Sequence, residues 1–167
     1  MKQSLLALAV AAGVSLAACG QPAGDDVSAS ANAAAPVQLD CPAADESGRI
    51  EIAPGLSANI LSTGYGRAAV KGDYADTNVQ LWLYDESASD RRGKFIWESG
   101  DDVFQFQLGA GQVIKGWDMG VPCMLEGETR ELIVAGDLAY GPRGRGEIPP
   151  NATLIFNIEL LRLTAPE

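Results

Sequence analysis

Apolar and polar residues alternate along four segments between residues 78 and 163. A period of two is typical of a strand with one buried and one exposed face. We read as strands NVQLWLYD (78–85), VFQFQLG (103–109), ETRELIVA (128–135) and ATLIFNIELLRL (152–163). LSANILS (56–62) is a weaker candidate. The segments are short and are separated by Gly, Pro and Asp, which favours antiparallel strands joined by hairpins or loops.

One stretch has helical spacing instead. In GQVIKGWDMG (111–120), Val113, Ile114 and Trp117 lie at positions i, i+1 and i+4 and can share one helix face. An antiparallel sheet with one apolar face must cover that face, and a short helix does so. The sequence therefore predicts an α+β fold, with a curved antiparallel sheet of about five strands wrapped around one short helix.

The start of this helix offers a binding feature. The first N–H groups of a helix have no acceptor within it, so the Ile114 N–H is predicted to be a spare donor. Trp117, one turn later, would form an apolar floor beside that donor. Such a hollow suits a neutral carbonyl next to a hydrophobic ring.

The N-terminus has the features of an export signal. Lys2 precedes an apolar run, Leu5–Leu16, that is too short for a permanent membrane helix. The sequence LAAC resembles the lipobox of bacterial lipoproteins, in which the cysteine is lipidated and begins the mature chain. We expect residues 1–18 to be a signal peptide and Cys19 a lipid anchor. An ordinary soluble export signal, with Cys19 incidental, is the alternative.

The anchor implies a location and a domain organisation. Gly20, rather than aspartate, follows the cysteine, which resembles lipoproteins sorted to an outer membrane. We therefore expect the protein at the periplasmic face of a bacterial membrane, the outer rather than the inner one. Residues 19–47 are small and polar and predict a flexible linker. Residues 48–167 have the size of one domain, and we find no internal repeat.

The charge balance excludes some partners. The chain carries 12 Lys and Arg against 22 Asp and Glu, a net charge of −10, and loss of residues 1–18 makes it −11 because only Lys2 is removed. Nucleic acid and anionic lipid should be repelled, so we expect no nucleic-acid partner and membrane contact through the anchor alone.

Residue content also excludes several chemistries. The chain has no histidine, which rules out a Ser–His nucleophile and leaves a metal site poor in ligands. GAG at 109–111 lacks the remaining residues of a dinucleotide or phosphate loop. Adjacent Asp101 and Asp102 are typical of a solvated turn. We expect no metal and no cofactor.

Two cysteines remain once Cys19 is lipidated. An oxidising compartment favours a disulfide between Cys41 and Cys123. Alternatively, Cys123 is a small buried residue and Cys41 is free. The sequence does not give their separation in space and leaves both arrangements open.

Residues 104–163 resemble the FKBP-type peptidyl-prolyl cis/trans isomerases. The motifs VIKGWD, AYG, IPPNATLIF and ELL, in this order, carry the resemblance. GLSANILSTGYGRAAVKGD (55–73) looks like the first strand and glycine-rich loop of that family, with lower fidelity. The resemblance implies a curved sheet around one helix, with a site between them that takes a proline side chain.

The resemblance also implies residue roles. Trp117 would form the floor, and the Tyr140 hydroxyl and the Ile114 N–H would bind substrate carbonyls. The other walls and the rim would be Phe104, Val113, Phe156 and Ile148.

Two segments depart from the family pattern. Where the family has a tyrosine in V-H-Y-T-G, this chain has VQLWLYD, and we place Leu83 at the tyrosine position and Tyr84 on the opposite face. The family's F-D-S corresponds to WES. Trp97 would then replace a pocket phenylalanine, and Glu98 an aspartate that we count among the catalytic residues. These changes bear on specificity and macrolide affinity more than on the fold.

Prolyl isomerisation suits this inventory of residues. Rotation about an X–Pro bond must overcome a resonance barrier of about 18–20 kcal/mol but needs no proton transfer. We expect a membrane-tethered isomerase that assists folding of exported proteins, with proline-containing polypeptides as substrates and macrolides as inhibitors. A catalytically weak binding or chaperone module of the same fold and an envelope structural lipoprotein are the alternatives.

Overall fold

The computed structural model describes residues 41–167. The predicted signal peptide (1–18), the predicted anchor Cys19 and the part of the predicted linker before residue 41 lie outside the described residues. The described residues belong to one compact unit. Among them, no helix has both the length and the apolar character needed to cross a membrane.

In this part of the chain the main element is one antiparallel sheet of seven strands. Its strands are β1 (Arg49–Ala53), β2 (Leu56–Ser62), β4 (Tyr74–Tyr84), β5 (Arg92–Glu98), β6 (Phe104–Gln107), β8 (Thr129–Val134) and β9 (Leu154–Thr164). Their order is β1-β2-β8-β9-β4-β5, with β6 also paired to β4. The short strands β3 (Tyr65–Ala68) and β7 (Leu125–Glu126) pair separately, and helix α1 (Lys115–Gly120) covers the sheet.

The predicted α+β fold, an antiparallel sheet with one short helix, is confirmed. Each of the five strands expected from alternation is present, although the sheet has seven strands rather than about five. β5 was not predicted because its residues are exposed on both faces over much of its length, so that no alternation marks it. Helix α1 begins at Lys115 and not at Gly111, because Ile114 is extended, with φ −62° and ψ 151°.

Two glycines set the distance between α1 and β8. A Cβ atom on Gly116 would collide with Cγ1 of Val134, and one on Gly120 would lie 2.8 Å from Cδ1 of Leu132. Residues four apart lie on one face of a helix, so both glycines face the sheet. Their small size lets the helix approach closely and places Trp117, which is 5 % exposed, against the core.

A buried ion pair holds the end of this helix. Arg130 Nη2 lies 2.7 Å from Glu128 Oε1, and Nη1 donates to the Gly120 carbonyl at 2.9 Å. Burial lowers the pKa of the Arg130 guanidinium, and the carboxylate of Glu128 opposes this shift. The guanidinium therefore satisfies a carbonyl at the helix C-terminus, where cations are favoured.

Cys41 and Cys123 form a disulfide. Their Cα atoms are 5.8 Å apart, and the residues are separated by 82 positions in the chain. Of the two arrangements that the sequence leaves open, the structure contains the paired one. The bond joins the segment before β1 to the turn that follows α1.

We expect loss of this disulfide to destabilise the domain strongly. Closing a loop of this length is worth about 4–5 kcal/mol in the chain-entropy model. Thermal unfolding is measured for two proteins that both carry Cys19→Ala. The one that also carries Cys41→Ser should have a much lower Tm than the one that keeps the disulfide. Reductant should lower the Tm of the bridged protein and leave that of Cys41→Ser unchanged. Equal Tm values for the bridged protein with and without reductant would contradict this expectation.

Candidate functional site: an aromatic cavity at the start of the helix

A cavity of about 870 Å³ lies between α1, the sheet and the segment that contains Tyr140. Trp117 lies on its inner side. The other apolar residues that line it are Leu81, Ile96, Trp97, Phe104, Val113, Ile114, Ala139, Ile148 and Phe156. The volume is in the range of small-molecule and peptide side-chain sites.

Aromatic side chains hold the indole of Trp117 in place. Its ring contacts Phe156 and Phe104 edge-on, with centroid distances of 5.2 and 5.7 Å. Phe106 packs against it in a tilted orientation at 5.6 Å. Edge-to-face contacts favour defined ring orientations, so the cavity has a rigid aromatic wall.

The indole Nε1 of Trp117 is buried and has no acceptor within residues 41–167. A buried donor without a partner costs free energy. Native proteins keep such departures from good packing mainly at functional sites. The unpaired indole donor therefore supports a functional role for this region.

Two further polar donors belong to residues that line the cavity and have no acceptor within residues 41–167. The Ile114 carbonyl accepts from the N–H of Trp117 at 3.0 Å and of Asp118 at 3.3 Å. Its own N–H has no acceptor in the described part of the chain, and neither has the hydroxyl of Tyr140. The spare Ile114 donor predicted from the sequence is thus present, and two donors beside an apolar wall can bind carbonyl oxygens.

The carboxylate of Asp118 positions the loop that leads into this site. It accepts hydrogen bonds from the N–H groups of Gly109 and Gly111, each at 3.0 Å. Both glycines have positive φ values, 71° and 70°, which other residues rarely adopt. The loop is thereby tied to α1, and this fixes the approach of Val113 and Ile114 to the cavity.

Tyr140 is positioned by two one-turn 3-10 helices, Gly136–Leu138 and Gly141–Arg143, that lie on either side of it. The Asn151 N–H donates to the first carbonyl of the second turn at 2.8 Å. Ile148, which is 6 % exposed, lies at the same end of the cavity. The hydroxyl of Tyr140 is thus presented by a segment that is bonded to the loop before β9.

The structure brings most of the predicted site residues together. Those that line the cavity are Trp97, Phe104, Val113, Ile114, Trp117, Tyr140, Ile148 and Phe156. Their assigned roles in binding or catalysis remain predictions.

Leu83 does not line the cavity, and its assignment to the site was wrong. Leu83 pairs with Leu154 and packs against the core, whereas Leu81 pairs with Phe156 and lines the cavity. Both leucines face the same side of β4, but they are two residues apart, about 7 Å along a strand. Matching the valine of the family motif to Val79 puts Leu81 at the tyrosine position.

Glu98 also lies outside the cavity. It pairs with Gln80, whereas the neighbouring pair, Leu81 and Trp97, lines the cavity. The pairing of β5 is irregular at Ile96, which lies between the partners of Leu81 and Trp82, but it is regular from Trp97 to Glu98. Successive residues of a regular strand face opposite sides, so Glu98 points away from the cavity. Its exposed carboxylate accepts from Gln80 Nε2 at 3.2 Å. Tyr84, predicted to miss the cavity, does not line it.

Sequence reasoning missed several lining residues. Leu81 shares the apolar face of NVQLWLYD, so its signal was present and was misassigned. Ile96 lies on β5, which has no alternation. Lys115, Arg145 and Glu147 are exposed charged residues around the opening, and nothing in the sequence distinguishes them from other surface charges.

Solved structures with this architecture define the fold as FKBP-like. A peptidyl-prolyl cis-trans isomerase from Pseudomonas syringae pv. tomato aligns with a TM-score of 0.59 and 29 % identity, covering 70 % of this chain and 81 % of that one. FkpA from Escherichia coli aligns with a TM-score of 0.61 and 31 % identity, covering 72 % of this chain and 54 % of that one.

Sequence relatives identify the family. Residues 66–161 match the FKBP-type peptidyl-prolyl cis-trans isomerases. The chain is 61 % identical over 113 residues to FK506-binding protein 1 of Dictyostelium discoideum, covering 64 % of this chain and 96 % of the relative. It is 40 % identical over 114 residues to the FK506-binding protein of Neisseria meningitidis serogroup B, covering 65 % of this chain and 96 % of that relative. The chain therefore belongs to the FKBP-type peptidyl-prolyl cis-trans isomerase family.

We expect Asp118→Ala to loosen the loop before the site. Hydrogen bonds to a charged group contribute about 1.5–3 kcal/mol, so the free energy of unfolding in urea should fall by about that amount. Hydrogen exchange at the amides of Gly109 and Gly111 should become faster. Asp102→Ala removes an exposed carboxylate that accepts no hydrogen bond in the described residues and serves as the control. Unchanged protection of both amides in Asp118→Ala would contradict the positioning role.

Proposed function

We propose that the protein is a peptidyl-prolyl cis-trans isomerase that assists the folding of exported polypeptides. One observation carries this proposal: an apolar cavity beside Trp117 is lined by two residues, Ile114 and Tyr140, whose N–H and hydroxyl have no acceptor in the part of the chain that the structure describes. Family membership supports it independently.

The cavity can accelerate isomerisation by removing the prolyl amide bond from water. A proline ring seated against the indole of Trp117 would bring the preceding amide out of water. Because the planar amide is stabilised by charge separation, removal of water weakens that planar form relative to the twisted one. Donors that hold the flanking carbonyls can bind the twisted form more tightly, and each 1.4 kcal/mol of such preference gives about a tenfold rate gain. No side chain needs to transfer a proton.

We also propose that the protein is a lipoprotein, anchored through Cys19 at the periplasmic face of a bacterial membrane, the outer one rather than the inner. The LAAC sequence after an apolar run supports this. The disulfide between Cys41 and Cys123 agrees with it, because disulfides persist in oxidising compartments. In this proposal residues 1–18 are the signal peptide, 19–47 the linker and 48–167 the isomerase domain, and the end of the linker from Cys41 onward is tied to that domain by the disulfide.

Macrolides of the FK506 type are the proposed inhibitors of the same cavity. The names of the relatives from Dictyostelium discoideum and Neisseria meningitidis support this proposal. The apolar lining, with two donors for carbonyl groups, has the chemistry that such a ligand requires.

Leu81 and Trp97 favour a second candidate function, a catalytically weak binding or chaperone module. Leu81 lies where the family motif has a tyrosine, so it offers no hydroxyl to a ligand. Trp97 takes the place of a phenylalanine, is 43 % exposed and presents a larger ring to the cavity. Such a module would bind proline-containing chains without accelerating their isomerisation.

Replacement of Tyr140 by phenylalanine should lower kcat/KM for a Leu-Pro-Phe peptide about two- to tenfold, the value of one hydrogen bond made in the transition state. A coupled protease assay of cis-to-trans isomerisation measures it. Tyr84→Phe removes a hydroxyl outside the cavity and should leave the rate unchanged. Equal isomerisation with and without the wild-type protein would reject the enzyme and favour the binding module.

The anchor has a separate test. Cells given a radioactive fatty acid should label the wild-type protein, and Cys19→Ala should abolish the label because the thiol that carries the lipid is gone. The Cys41→Ser variant retains the predicted anchor and is the control for a general effect of cysteine loss. Undiminished label in Cys19→Ala would reject the lipoprotein assignment.

A further inference from the structure

The mouth of the cavity is positively charged in an otherwise acidic protein. Three of its lining residues are charged, Lys115, Arg145 and Glu147. Glu147 lies 3.3 Å from the ammonium group of Lys94, a further cation that offsets part of its charge. Within residues 41–167, no carboxylate lies within ion-pair distance of Lys115 or Arg145, although the chain as a whole has a net charge of −10.

The backbone of Arg145 is fixed by a tight turn. Its N–H donates to the carbonyl of Ile148 at 3.0 Å, and its carbonyl accepts from the Ile148 N–H at 2.9 Å. The preceding Gly144 has φ +62°, and a Cβ atom there would collide with the carbonyl oxygen of Ile148. Only glycine fits this position without displacing the turn, so the turn is a defined structure and not a loose loop.

The Arg145 side chain lies beside the Tyr140 ring. Its guanidinium carbon is 5.7 Å from the ring centroid, within the range of a cation–π contact. Such a contact orients the guanidinium at the cavity mouth. The charge is thereby placed beside the ring that carries the hydroxyl which binds a substrate carbonyl in the proposed mechanism.

We propose that Arg145, with Lys115, makes this isomerase selective for peptide segments in which an acidic residue directly precedes the proline. The inference rests on the proposed function. A residue whose carbonyl is held by the Tyr140 hydroxyl has its side chain within a few ångströms of that hydroxyl, near Arg145. A guanidinium pairs with a carboxylate through two parallel hydrogen bonds, and both cations repel a lysine at the same position.

The overall charge of the protein predicts the opposite preference. A net charge of −10 attracts basic peptides and repels acidic ones at long range. A preference for acidic peptides can therefore arise only from charges close to the bound segment. The charges at the mouth and the net charge of the protein therefore favour peptides of opposite charge.

The test compares Glu-Pro-Phe, Gln-Pro-Phe and Lys-Pro-Phe peptides with the full chain in neutral detergent. For the wild-type protein we expect kcat/KM to be about three- to fivefold higher for Glu than for Gln, the value of a partly exposed ion pair, and lowest for Lys. The ratio should approach one at about 1 M salt, where charges are screened within about 3 Å.

Arg145→Gln should bring the Glu-to-Gln ratio close to one, and Lys115→Gln should reduce it partly. Arg143→Gln, an exposed cation in the same segment that does not line the cavity, is the matched control and should keep the wild-type ratio. A wild-type ratio of one or less would overturn the inference. So would a ratio that survives in the Arg145→Gln/Lys115→Gln double variant.

Binding of the same peptides, followed by tryptophan fluorescence, gives a ratio of Kd values that does not depend on turnover. If no peptide is isomerised but the Glu peptide binds more tightly in an Arg145-dependent way, the proposed enzyme fails and the acidic selectivity stands. If all peptides are isomerised and bound equally, the selectivity fails and the enzyme stands.

Discussion

The close approach of α1 to β8 is the contact on which the rest of the site depends. Gly116 and Gly120 face Val134 and Leu132 with no room for another carbon atom. Because the helix lies this near the sheet, Trp117 reaches the aromatic cluster and forms one side of the cavity. A helix one methyl group further out would separate the indole from its neighbours, and the cavity would lose its rigid wall.

Charged side chains hold the backbone around α1, whereas apolar side chains line the cavity. The carboxylates of Asp118 and Glu128 accept hydrogen bonds from backbone N–H groups and so hold the loops around α1. Arg130 satisfies the carbonyl at the helix end. The interior of the cavity is left to apolar and aromatic side chains, with charges only at its opening. A site of this kind acts on its ligand through removal of water and through fixed neutral donors.

The sequence predicted those parts of the fold in which burial has a regular period. β4 and β9 alternate over part of their length because one face packs on the core, whereas β8 is buried on both faces from Arg130 to Val134. The helix lies inside the predicted stretch, but Val113 and Ile114 precede it and do not share a helix face with Trp117. β5 has no such pattern, because much of it is exposed on both sides. The errors at Leu83 and Glu98 are errors of register. For Leu83 the family motif was matched two residues too late, and Glu98 was placed on the wrong face of its strand. Only the strand pairing reveals both errors. Lys115 and Arg145 could not be predicted as site residues, because only the fold shows that they lie at the opening of the cavity.

The disulfide also determines how the domain bears mechanical load. β1 is an edge strand, paired only with β2, and it is the first strand after Cys41. Tension applied from the N-terminal side would otherwise peel this strand from the sheet one hydrogen-bonded pair at a time. The covalent link carries the force past β1 and delivers it at Cys123, between α1 and β7. A force applied to the segment before Cys41 is therefore transmitted to Cys123, and β1 at the sheet edge carries little of it.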